Sequence, residues 1–385
     1  MTDDSVSAIE PISDVHRPDD AKPLEDAIGL CLSGGGYRAM VFHVGVLWRL
    51  CDSGLLPKIA RISSVSGGSI TSAVLGLKWN KLGFGTAQAT ANFIAEVVAP
   101  IRNLAGETLD AEAIILGVAL PGRVSDRVMA AYKHHLFGDA TLQDLPDAPR
   151  FVINATNVQT GSLWRFMKPY MADWQVGRIE NPDVPLALAV AASSAFPPVL
   201  SPVEMRLSPG SFTPDHPAPP LQKRPFTSKV ILTDGGVYDN LGLETIWKRY
   251  RTVLVSDAGG KIQPEAEPKS DWARHAYRVL DIVDNQVRSL RKRQLIASYT
   301  GKLRAGAYWG IRTDIADYEV ANSLPCPHDR TMDLAATPTR LKAMDDELQE
   351  RLINWGYAVC DAALRARVDP ALPAPAGFPY PKTKV

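Results

Sequence analysis

The 385-residue chain contains nothing close to the ~18–20 consecutive apolar residues that a membrane-crossing helix requires. Its most apolar runs, "AIILGVAL" (Ala113–Leu120) and "VPLALAVAASSAF" (Val184–Phe196), are too short or too rich in small side chains. Any contact with a membrane is therefore expected at its surface. Net charge is missing too: 42 Lys and Arg stand against 42 Asp and Glu, so no overall field draws the chain to nucleic acid, and no such partner is expected. Cysteine is scarce. Cys31, Cys51, Cys326 and Cys360 form no CxxC pair and are too few for a disulfide scaffold, which suits buried thiols in a reducing cytosol. Residues 1–26 are acidic, carry Pro and Ser, and lack the apolar core of a secretory signal, so they read as a mobile leader and point to a cytoplasmic location.

What is present is a repeated strand-then-helix pattern. The apolar "AIGLCL" (Ala27–Leu32) runs into "SGGG", and the next segment places Val44, Leu47, Leu50 and Cys51 at helical spacing before Ser53 and Gly54 stop it. "IARISSVSGGSITSAVLGL" (Ile59–Leu77) repeats the sequence of strand, turn and helix. Such a βαβα opening implies parallel strands joined by right-handed crossovers. One enlarged α/β catalytic domain is expected over residues 27–320, with a possible helical cap at 92–147 and a Pro-rich loop at 208–228. Residues 321–385 are expected to add a helix with an apolar stripe (Leu341, Met344, Leu348, Leu352, Trp355, Val359) and a Pro-rich tail.

Three glycines in a row leave backbone N–H groups open to a ligand. Gly34, Gly36 and Ala39 fit the G-x-G-x-x-A spacing of a dinucleotide site, but the second strand ends in "SSVSGG" with no acidic residue for a ribose. A phosphate-binding P-loop fits less well still, since no Gly-Lys-Ser/Thr follows the glycines. No cofactor and no metal are expected. "SVSGGS" instead resembles a nucleophile elbow with Ser66 at the tip, although Ser64 occupies the place of the first glycine in G-x-S-x-G. "TDGG" then sets Asp234 at the end of an apolar strand, where open α/β sheets gather their sites.

In this order, Gly34-Gly35-Gly36-Tyr37-Arg38, Ser64-Val65-Ser66-Gly67-Gly68 and Asp234-Gly235-Gly236 resemble the motifs of the patatin-like phospholipase family. "AASSAFPPVLSP" (Ala191–Pro202) is similar to the family's Ala-Ser-x-Ala-x-Pro block. The resemblance implies a three-layer α/β/α fold with a mostly parallel central sheet, and hydrolysis of acyl esters by a Ser–Asp dyad. It implies Ser66 as nucleophile, Asp234 as base, an oxyanion hole from Gly34, Gly35, Gly36 and Arg38, and support of the two loops by Gly67, Gly68, Gly235 and Gly236. The implied substrate is a phospholipid, a lysophospholipid or another acyl-ester lipid. A regulated membrane-damaging phospholipase and a catalytically weak lipid-binding protein remain alternatives.

Several residues compete for roles. Asp257 also ends an apolar strand and is a second candidate base, and His275 or His328 would make a Ser-His-Asp triad. His43 is expected to pack in the core. Arg38 either supports the loop or adds positive potential. The dense basic cluster of Arg288, Arg291, Lys292 and Arg293 is a candidate for peripheral contact with the inner membrane surface.

Overall fold

The structure, a computed structural model, describes residues 23–109, 123–214 and 218–385. Most of the expected leader thus lies outside the described residues, as does part of the expected cap. A 10-stranded sheet forms the middle layer. Its parallel part runs in the order β10 (Ala305–Gly310), β9 (Tyr250–Asp257), β1 (Glu25–Leu32), β2 (Ile59–Val65), β3 (Arg150–Asn157). Antiparallel strands β4 (Ser162–Phe166), β5 (Tyr170–Asp173) and β6 (Gly177–Glu180) extend it beyond β3. β8 (Lys229–Asp234) pairs antiparallel with the end of β3 and with β7 (Val203–Arg206).

Side chains alternate across the sheet as the strand period demands. In β1, Leu30 and Leu32 enter the large core while Cys31 enters the smaller one on the opposite face, and in β9 Leu254 opposes Val253 and Val255. The large core is roofed by α1 (Gly36–Asp52), α2 (Gly67–Lys78), α3 (Leu186–Ser193) and the last long helix, α5 (Asp346–Arg367). The small core is closed by residues 241–246 and by Leu295 of α4 (Trp272–Thr300). This is a three-layer α/β/α arrangement.

α1 is buried along its whole length from Gly36 to Cys51, more than a one-sided stripe would require, because α5 covers its outer side. α5 spans Asp346–Arg367 and starts later than the apolar pattern implies: Asp345 accepts the Leu348 N–H at 2.8 Å and caps it, leaving Leu341 and Met344 buried ahead of the helix. Residues beyond 320 share the large core, so no break in packing falls there. Within 92–147, Phe93, Val97, Ile101 and Leu104 also join that core, beside the helix layer. In 208–228, Pro209–Ser211 makes a single 3-10 turn and the other described residues are irregular, as its prolines dictate.

Candidate active site

The ends of β1, β2, β8 and β9 converge. Ser33 N–H donates to Ser256 O at 3.1 Å, Gly34 N–H to Asn240 O at 3.0 Å, and Gly235 N–H to Ser193 O at 3.1 Å. Ser66 follows directly on β2 and precedes α2, at φ 52° and ψ −123°. A left-handed φ is strained for a side chain with a Cβ, and such strain collects at functional turns. The turn is tight because the chain behind it is glycine: a Cβ on Gly67 would sit 2.0 Å from Gly36 O, and one on Gly68 2.6 Å from Leu32 O. Ser64 fits where glycine was expected. Its hydroxyl donates to Val152 O at 3.3 Å and accepts from Ser69 Oγ at 3.1 Å.

The glycine loop crosses in front of this elbow. Gly35 and Gly36 adopt φ of 148° and 59°, and Gly36 opens α1 as Gly67 opens α2. Two helix N-termini, with their unpaired N–H groups and positive dipole ends, therefore meet beside Ser66. Neither the Gly35 nor the Gly36 N–H has a hydrogen-bond acceptor among the described residues. The Gly34 N–H, by contrast, is already occupied by Asn240.

Asp234 is buried at the end of β8. Its Oδ1 accepts the Gly236 N–H at 2.7 Å, while Oδ2 has no partner of hydrogen-bond geometry among the described residues. Burial pushes its pKa up to about 7; the Gly236 N–H and the neighbouring Ser66 hydroxyl pull it part of the way back, and the Asp284 carboxylate raises it further. Thr156 Oγ1 donates to the Asp234 carbonyl at 2.8 Å and holds the loop from β3.

Asp257 faces a different task. Lys292 pairs with it, the Tyr308 hydroxyl donates to it at 2.8 Å and the Gly259 N–H at 2.9 Å, and these partners outweigh burial and hold its pKa far below the carboxylate range. It stays ionised as an anchor and is no match for a serine proton. His43 is buried between Ser256 Oγ (2.9 Å) and the Ser33 carbonyl (3.0 Å), and burial lowers its pKa to about 4. It pins the first strand to its neighbour in the neutral form. His275 is exposed on α4, and His328 lies 3.9 Å from Asp314. No histidine among the described residues hydrogen-bonds to Ser66 or Asp234.

Two expectations need correction. Arg38 is not aimed at the oxyanion site: its buried guanidinium donates to the carbonyls of Ala258 (2.9 Å), Ala335 (3.1 Å) and Thr337 (2.6 Å), and so ties the glycine loop to two distant segments. The basic cluster on α4 is not a free patch either. Arg288 donates to Gly260 O at 2.5 Å and pairs with Asp284 at 2.9 Å, Arg291 lies 3.6 Å from Glu244, and Lys292 pairs with Asp257. Helical periodicity turns these three toward the loops, leaving Arg293 outside the pairings.

Other positioning residues escaped the sequence. Ser193 Oγ accepts the Ser66 N–H at 3.0 Å and bonds Ser69 Oγ at 2.8 Å, fixing the elbow from α3. Asn154 Nδ2 donates to Ser64 O at 2.9 Å. Ser193 lay within the quoted "AASSAFPP" block, which singled out the segment and not the side chain.

Fold and site together define a three-layer α/β/α protein with a serine at a strand-end elbow. The chain belongs to the patatin-like phospholipase family, whose model matches residues 30–247, more than half of its length. Lipid acyl hydrolysis is that family's chemistry. No curated protein sequence matches the chain. Among solved structures, human GIVD cytosolic phospholipase A2 in complex with methyl gamma-linolenyl fluorophosphonate matches with a TM-score of 0.50 and 14% identity, over 90% of this chain and 58% of that one. The same enzyme with that inhibitor and terbium chloride gives 0.49, 14%, 88% and 58%. VipD from Legionella pneumophila gives 0.29, 14%, 81% and 67%. The first of these likenesses speaks for the fold. The chain spans a little over half of the human enzyme's length.

Proposed function

We propose that the protein hydrolyses the carboxylic ester bonds of phospholipids or lysophospholipids through a Ser66–Asp234 dyad. Ser66 Oγ attacks the ester carbonyl while Asp234 takes its proton, and the free N–H groups of Gly35 and Gly36 receive the oxyanion. Collapse expels the alcohol, protonated by Asp234, and leaves an acyl ester on Ser66. Water then attacks that ester with Asp234 again as base, releasing the fatty acid. The observation that carries this reading is the pairing of a strained elbow serine with a buried carboxylate whose raised pKa makes it a competent base near neutrality. Gly34 and Arg38 support the oxyanion loop in this scheme, and Gly67, Gly68, Gly235 and Gly236 let the elbow and the aspartate loop pack closely.

The test is intact-mass spectrometry after a fluorophosphonate, alongside hydrolysis of a soluble ester. One adduct is expected on the native chain and none on Ser66→Ala, and Asp234→Asn should lose at least ~100-fold in turnover while keeping its fold. An adduct that survives in Ser66→Ala, or an active Asp234→Asn, would sink the dyad.

A further inference from the structure

α4 is 29 residues long, about 43 Å at the helical rise, and only Leu295 and Ser298 near its C-terminal end are buried. Its inward face carries Arg288, Arg291 and Lys292, which bind segments beside the dyad, and Asp284, which pairs with Arg288. A second face is apolar and has no partner among the described residues: Trp272, Val279, Leu280, Val283, Val287 and Leu290 recur at helical spacing, and Trp272 is 86% exposed, Leu280 65% and Leu290 58%. Exposed apolar side chains are also found on two other segments that flank the dyad, Phe196 and Val199 just after α3, and Val237 just after the Asp234 loop.

We infer that α4 docks the protein onto an anionic lipid surface, laying its apolar face among the acyl chains at the mouth of the site. Two observations select this occupant over a second copy of the chain. With the inward, paired Asp284, Arg288, Arg291 and Lys292 left out, residues 261–304 still hold seven Lys and Arg against four Asp and Glu, a charge of +3 in a chain of net charge zero. Two copies would bring like charges together, whereas an anionic leaflet complements them. The exposed apolar side chains also come from three separate segments, α4 and the two that flank the dyad, which a soft lipid phase accommodates and a helix seam does not. The inference rests on the proposed lipid hydrolysis only for why a lipid surface should be met there.

Binding is measured with the full chain carrying Ser66→Ala, by co-sedimentation with vesicles of phosphatidylcholine alone and of equal parts phosphatidylcholine and phosphatidylglycerol. Binding to the anionic vesicles is expected, weaker in added salt and at least ~10-fold weaker once Leu280→Glu, Val283→Glu and Leu290→Glu are combined. Trp272→Phe should remove part of the vesicle-induced blue shift in fluorescence. With Ser66 restored, the triple variant should hydrolyse a soluble short-chain ester normally and vesicle phospholipid poorly. The single Leu280→Glu variant, with a thermal melt on each protein, guards against a folding artefact. Vesicle binding unchanged by these substitutions overturns the inference, as does a native dimer that the triple variant converts to monomer without any vesicle binding. Should the native chain leave the soluble ester intact while the Ser66→Ala chain still binds vesicles through α4, docking stands and the hydrolase reading falls.

Discussion

Asp234 carries a cost in stability that has the opposite sign from most carboxylates. Its folded-state pKa, about 7, lies above the ordinary 3.8, so the folded chain holds a proton that the unfolded chain releases. Stability from this group is complete below pH 4, falls as pH rises, and is lost by about pH 7, a difference on the order of 4 kcal/mol. Asp234→Asn should accordingly melt above the native chain at pH 8 and level with it at pH 4. Activity follows the same proton. kcat/KM for ester hydrolysis should rise with pH through an inflection at about 7, and Asp284→Asn should move that inflection to lower pH by removing a neighbouring charge. An inflection unmoved from the ordinary carboxylate range would separate Asp234 from the rate. The glycines are less clean probes: a side chain at Gly35 would meet Ala258 O at 2.7 Å and one at Gly36 would meet Arg340 O at 2.8 Å, so Gly35→Val and Gly36→Val should damage the fold together with the site.

Among the elements, α4 is held to the sheet by ion pairs more than by packing. Its middle meets β9 through Lys292 and Asp257, and β10 joins through Tyr308. Asp257→Asn removes the charge that Lys292 and Tyr308 were arranged around. Because Lys292 is partly exposed, the loss should be about 2 kcal/mol, below that of a fully buried pair. Depressed titration places this contribution above the ordinary carboxylate pKa, with loss only as pH falls well below it. Thermal melts at neutral pH should show the drop while soluble-ester turnover stays within a fewfold. A complete loss of turnover would return Asp257 to the list of bases.

On the scale of the whole molecule, the C-terminal segment closes the fold. Arg49 of α1 and Asp361 of α5 form a buried pair at 2.8 Å, with Arg365 on the second carboxylate oxygen at 3.1 Å. The tail then folds back: Asn354 Nδ2 donates to Tyr380 O at 2.9 Å, and its Oδ1 accepts the Tyr380 N–H at 2.9 Å. Asp361→Ala leaves two guanidinium groups without their carboxylate, one of them buried. A loss of about 3–5 kcal/mol is expected in denaturant unfolding, with fluorophosphonate labelling of Ser66 retained under native conditions. Selective loss of labelling in a stably folded variant would mean that α5 shapes the site directly.

By itself, the sequence determined the opening alternation of strands and helices, the family, and the three loops that carry its motifs. Each of these is local: the apolar run before Gly34, the turn at Ser66 and the Asp-Gly-Gly at the end of β8 are set by neighbours in the chain and by backbone geometry that only certain residues tolerate. Tertiary structure decided what side chains do once distant segments arrive. Arg38 became a clamp because carbonyls from Ala335 and Thr337 lie beside it, and the α4 cations turned inward because Asp257 and Glu244 wait there. Ser193 acquired a role from the approach of α3 to the elbow, and Asp234 its raised pKa from burial that no local pattern records. Charge and solvation depend on everything within several ångströms in space, and a sequence orders residues only along the chain.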